Sequence, residues 1–119
     1  MPARSPEEVD VLFEKALNAG DLDGLADLYE ENAVLVPNPG EEAKGRAAIR
    51  EALAGFVGMK PVIDLKVERS TVSGDIAVLF GAWTMNAGGQ EMAGKTVEVV
   101  RRQADGSWRF VIDDPYARG

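Results

Sequence analysis

The chain has 119 residues, 45% of them hydrophobic and 28% charged, a size and balance that suit a single soluble domain spanning 1–119. With no cysteine and no histidine it can hold no disulfide, no Ser-His or Cys-His triad and no thiolate- or imidazole-ligated metal, so acid–base chemistry falls to Asp, Glu, Lys and Tyr. A net charge of −7 with scattered basic residues argues against nucleic acid, and no apolar run approaches the roughly 18 residues of a membrane helix.

The opening "MPARSPEEVD" lacks the apolar stretch of a signal peptide, which together with the missing cysteines leads us to expect a cytoplasmic protein. In "SPEEVDVLFEKALNA", residues 5–19, Ser5 is placed to cap a helix, Pro6 suits its first turn and Glu8 can reach back. Val9, Leu12, Phe13, Ala16 and Leu17 then recur at helical spacing. Gly20 ends this helix and Asp21 caps the next, whose stripe is Leu22, Leu25, Ala26, Leu28 and Tyr29. A short apolar strand at 33–36 breaks into the two-proline turn "PNPG". A third helix, "GRAAIREALAGF", sets Ile49, Leu53 and Phe56 on one side and stops before Pro61.

From residue 62 the period changes to two. In "VIDLKVERS", Ile63, Leu65 and Val67 alternate with Asp64, Lys66 and Glu68, as on a half-exposed strand. After the turn "SGD" comes "IAVLFGAWTM", apolar on both faces. "NAGGQ" turns the chain, "KTVEVVRR" returns, "ADGS" makes a tight hairpin and "WRFVID" closes a four-stranded meander. Three N-terminal helices followed by strands predict an α+β fold. A sheet apolar on both faces must cover both, so the face away from the helices is expected to make a twofold homodimer. The bland alternative is that long polar side chains cover it.

The phrases "ALNAGDLDGLADLYEENAVLV", "GRAAIREAL" and "VEVVRRQADGSWRFVIDD" resemble the NTF2-like superfamily, in particular its SnoaL-like and ketosteroid isomerase-like branch of uncharacterised bacterial proteins. The resemblance covers nearly the whole chain. It implies a cone-shaped barrel, three helices on a strongly curved, mostly antiparallel sheet, with a blind apolar pocket between them. The superfamily holds enzymes and non-enzymes on one scaffold, so the fold alone assigns no activity.

Carried over by position, the isomerase's helix-one tyrosine falls on Phe13, its base aspartate on Pro37 and its oxyanion acid on Glu98. A carboxyl survives only at Glu98, so standard steroid isomerisation is not expected. Asn38 can hydrogen-bond but is no base near neutral pH. Glu98 lies mid-strand among valines, where a carboxylate is costly unless paired or protonated; the alternative is an outer-face or Arg-paired residue. For the second carboxylate, a gap-free carry-over turns Asp113 inward. Plain alternation through Trp108, Phe110 and Ile112 turns Asp114 inward instead, a conflict that eases if those three apolar residues pack in a subunit interface. The resemblance implies that Tyr29 can offer its hydroxyl to the pocket, with Phe13, Leu17, Phe56, Phe80, Ala82 and Val100 as its apolar wall; the alternative for each of these residues is plain core. Trp83 is assigned to the interface, and Arg46 and Arg50 to the surface. The acids at 21, 23, 27, 30 and 31 lack the spacing of a calcium loop, so no metal is expected.

These readings point first to an isomerase, cyclase or dehydratase that needs no cofactor and acts on an apolar carbonyl compound through Glu98 and Asp113. Two others stand beside it: a non-catalytic binder of a hydrophobic metabolite, and an association module with a vestigial pocket.

Overall fold

Helix α1, Pro6–Ala19, begins where the Ser5 hydroxyl accepts the Glu8 N–H at 3.3 Å, while the Glu8 carboxylate reaches back to the Arg4 N–H at 2.7 Å. This computed structural model describes residues 2–117. Gly20 closes α1 in the left-handed region, φ 71°, a conformation that costs glycine little.

The second helix is shorter than its sequence stripe suggests. Helix α2 is only Leu22–Ala26, and Tyr29 opens a strand, β1, Tyr29–Leu35. Tertiary pairing overrides the local pattern here, because the Leu28 carbonyl accepts the Phe110 N–H at 2.7 Å and pulls the chain out of helix. Then follow β2 (Ala43–Lys44), α3 (Arg46–Gly58), β3 (Val62–Ser73), β4 (Ile76–Ala87), β5 (Gln90–Arg102) and β6 (Trp108–Ala117). The strands form one sheet in the order β2-β1-β6-β5-β4-β3, antiparallel throughout except for β1 beside β6. The sheet curves around the helices without closing into a barrel, since β2 and β3 remain as edges.

Two register features decide which side chains face the helices. In β4, Leu79, Gly81, Trp83 and Met85 are buried, whereas Val78, Phe80 and Ala82 lie on the less buried outer face. This reverses the expected phase of the strand. A strand apolar on both faces does not encode its own phase; the neighbour does. Ile63 and Leu65 of β3 stand directly opposite Met85 and Trp83, and residues opposite one another share a face.

The second feature is a bulge. Val99 pairs with Ile112 but the next residue, Val100, pairs with Phe110, so Val111 is an extra residue in β6. Trp108 and Phe110 are therefore buried in the core rather than in a subunit interface, Ile112 turns out to solvent, and Asp113 turns in. On the outer face Val78, Val99 and Ile112 line up across three strands. Arg46 also departs from its expected surface role: its Nε and Nη2 both reach the Tyr29 carbonyl, at 3.1 and 2.5 Å, and tie the start of α3 to β1.

Candidate active site

Between the helices and the concave side of the sheet lies a cavity of about 60 Å³. Its wall is apolar: Phe13 and Leu17 from α1, Phe56 from α3, Ile63 from β3, Trp83 and Met85 from β4. Its polar side chains are Thr96 and Glu98 of β5 and Asp113 of β6, with no lysine or arginine among the described lining residues. Pro37, Pro115 and Tyr116 also line the cavity. The Trp83 indole N–H donates to the Pro115 carbonyl at 2.7 Å, and the Tyr116 hydroxyl to the Pro37 carbonyl at 3.1 Å.

Glu98 and Asp113 stand directly opposite each other on neighbouring strands, each 3% exposed. Their surroundings differ. Asp113 Oδ2 accepts the Tyr29 hydroxyl at 2.6 Å, and Glu98 Oε2 accepts the Thr96 hydroxyl at 3.0 Å. Burial pushes the Asp113 carboxyl up to about 7, with Tyr29 pulling the other way and the charges of Asp10 and Asp114 adding to the rise. Burial likewise holds Glu98 well above the usual carboxylate range, reinforced by a hydrogen bond to Asp10 and by the charges of Asp113 and Asp10. Desolvation, then the charge of Asp113, keeps the fully buried Tyr29 phenol protonated. Near neutral pH the site thus holds one carboxyl that keeps its proton beside one poised to exchange it, and unlike neighbours of this kind can divide acid and base roles.

Of the residues singled out from sequence, Glu98, Asp113, Phe13, Leu17 and Phe56 come together around this cavity. Tyr29 lies behind it, touching it only through Asp113. Val100 is fully buried core. Like Tyr29 and Val100, three more do not line it: Phe80 and Ala82 are on the outer face, where Arg69 stacks 4.3 Å over the Phe80 ring, and Asn38 is exposed with its amide turned toward Glu41. The turn that holds Asn38 contributes Pro37 instead.

Sequence reasoning missed Trp83, Met85, Tyr116 and, most consequentially, Asp10, which is 2% exposed on α1 behind Glu98. A signal existed for it, since Asp10, Phe13 and Leu17 are spaced i, i+3, i+7 and so share one helix face. Among the described residues no group of three Asp, Glu, His or Cys is arranged to hold a metal ion, and no helix is long and apolar enough to cross a membrane.

A family model for the SnoaL-like domain matches residues 9–111. The chain belongs to the SnoaL-like family. Solved structures agree on an NTF2-like fold for this SnoaL-like chain. A ketosteroid isomerase-like protein from Erwinia carotovora atroseptica matches with TM-score 0.73 and 20% identity, over 91% of this chain and 89% of that one. An NTF2-like protein of unknown function from Shewanella oneidensis gives TM-score 0.77 at 21% identity, over 93% of this chain and 95% of its own. A Thiobacillus denitrificans protein, provisionally named a calcium/calmodulin-dependent protein kinase type II association domain, gives TM-score 0.82 at 21% identity, over 98% and 99%. At such identities the likeness speaks for the SnoaL-like chain's architecture alone.

Proposed function

We propose that this single-domain chain is a small-molecule enzyme of the isomerase, cyclase or dehydratase type, acting on an apolar carbonyl compound by carboxylate acid–base chemistry. The observation that carries the reading is the pair Glu98 and Asp113, opposed across two strands at the polar end of an apolar cavity and held in different protonation environments. Glu98 supplies the proton to a ligand oxygen, and Asp113, steadied by Tyr29, accepts one from carbon or water. Phe13, Leu17 and Phe56 exclude water and receive the apolar body of the ligand. The chemistry needs no cofactor, because both proton-transfer groups come from the chain. The missing cysteines suit a reducing, cytoplasmic setting.

A second reading, a binder without turnover, is favoured by the size of the cavity, which admits a few water-sized groups before the wall must move. In either reading two copies associate through the outer face of the sheet, supported by the in-register apolar row Val78, Val99 and Ile112 and by the association-domain name of a structural neighbour.

The test is a thermal-shift screen of the wild type and Glu98→Gln against cyclic ketones, phenols and aromatic polyketide fragments, with turnover of every hit followed by NMR. Ligand at about one hundred times its Kd adds about 2.7 kcal/mol, several degrees for a domain of this size. Turnover lost in Glu98→Gln supports the enzyme. Hits without turnover leave the binder, and no hit in either protein removes both.

A further inference from the structure

Asp10 does not line the cavity, yet it is the charged group most enclosed on α1. Neither of its carboxylate oxygens meets a donor among the described residues, and neither does Glu98 Oε1. These three acceptor oxygens gather at one place, because the Asp10 and Glu98 carboxyls lie within hydrogen-bonding reach of each other. Two buried carboxylates facing one another with no donor between them would cost several kcal/mol, which a single shared proton relieves.

We propose that Asp10 is a positioning residue that holds the proton of Glu98, so that the pair keeps one proton in reserve at the polar end of the pocket. Glu98 donates through Oε1 to the Asp10 carboxylate, while its other oxygen, Oε2, accepts from Thr96. That one hydrogen meets Glu98 Oε1 and one oxygen of Asp10, and leaves the other Asp10 oxygen without a donor among the described residues. Burial raises both carboxyls, so the pair favours keeping a proton, and Glu98 is the member that lines the cavity and whose Oε2 already has the Thr96 hydroxyl.

Among the described residues, the other elements packed around Glu98 add no competing cation. Strand β4 sets Leu79 opposite it, β6 brings Asp113 and Asp114, and β1 brings the Tyr29 phenol, which is committed to Asp113. On α1 the next acid, Glu14, is engaged by the Leu65 N–H at 2.7 Å. When a ligand oxygen takes the proton from Glu98, two facing carboxylates remain, and their repulsion draws back the proton that Asp113, opposite Glu98, has accepted from the ligand or from water. The donor is therefore reset between events without a lysine or arginine among the described residues that line the cavity.

The proposal rests on Glu98 as the proton donor of the pocket, but its test uses no ligand. Carbon-detected NMR titration of side-chain carboxyls in the full chain is read for the wild type and Asp10→Asn. An amide at position 10 donates to an ionised Glu98, so the Glu98 midpoint falls by more than one pH unit, over tenfold in its ionisation constant. An unchanged Glu98 midpoint in a folded Asp10→Asn protein overturns the proposal. Should Asp10→Asn fail to fold, Glu98→Gln and Glu98→Leu report on the same contact from the other side. Asp10 then titrates more than one unit lower opposite the glutamine than opposite the leucine, and equal midpoints overturn the proposal. A failed ligand screen leaves this result standing, and a negative titration leaves the pocket reading standing.

Discussion

The Tyr29 hydroxyl donates a 2.6 Å hydrogen bond to Asp113 Oδ2, joining the first residue of β1 to the bulged end of β6 across 84 positions of sequence. The tyrosine is fully buried, and its ring lies 4.8 Å from that of Phe110. The bond is both a brace for the parallel β1–β6 pair and, among the described residues, the donor that favours the charged form of Asp113.

Removing that hydroxyl separates the two effects. Tyr29→Phe keeps the ring packing but leaves a buried carboxyl oxygen without its donor, a loss of about 1–3 kcal/mol in urea denaturation at pH 8. The Asp113 titration moves above its wild-type value of about 7, because the group that pulls it down is gone. A variant as stable as the wild type with an unmoved Asp113 would contradict this role for the bond.

Stability should fall as pH rises through neutrality. The folded-state value of Asp113, about 7, lies above its ordinary 3.8, so between these limits the folded chain binds a proton that the unfolded chain has lost. The contribution is complete below about pH 4 and gone above about pH 8, on the order of 2–4 kcal/mol for a fully buried group. Glu98 and Asp10 act in the same direction. Unfolding free energies measured from pH 4.5 to 8.5 are expected to decline for the wild type and less steeply for Asp113→Asn. Parallel slopes would place the titrating group elsewhere.

Gly81 marks a close approach between β3 and β4. A Cβ there would sit 2.6 Å from the Lys66 carbonyl oxygen, next to the point where Glu68 bulges out of the β3 register. Backbone cannot swing aside as a side chain can, so Gly81→Ala is expected to destabilise by about 1–3 kcal/mol, read from denaturant midpoints. Gly55→Ala is the control, since nothing lies within 4 Å of a Cβ at that helical position. It should be neutral or slightly stabilising.

Ile112 offers the most direct test of association. It is 43% exposed, in register with Val99 and, beyond it, Val78. Ile112→Lys puts a charge at the exposed end of this row while the core stays untouched. Light scattering is expected to show a wild-type dimer and a variant dissociating at least tenfold more readily, with an unchanged far-UV spectrum. A monomeric wild type would leave the row as ordinary surface.

The three helix locations, their caps at Ser5 and Asp21 and the turns that separate strands were readable in the sequence, and so was Glu98 as an acid set among valines, whereas the sequence left Asp113 and Asp114 as alternatives. Local chemistry suffices for these, since caps, turn residues and hydrophobic periods act over a few neighbours. Asp10 was readable in principle from its spacing to Phe13 and Leu17, but an acid on an apolar stripe looks like a solvated edge until something is packed against it.

What only the tertiary structure decided is which way the strands face. The phase of β4 came from its register with β3, which turns Trp83 and Met85 into the cavity and Phe80 and Ala82 out of it. The inward turn of Asp113 came from the single extra residue at Val111. Side chains alternate with a period of two, so one inserted residue or one step of register exchanges the two faces, and neither is encoded in a run that is apolar on both sides. Sequence by itself determined most of the elements and the kind of chemistry available; pairing between strands far apart in the chain determined where α2 gives way to β1 and where that chemistry points.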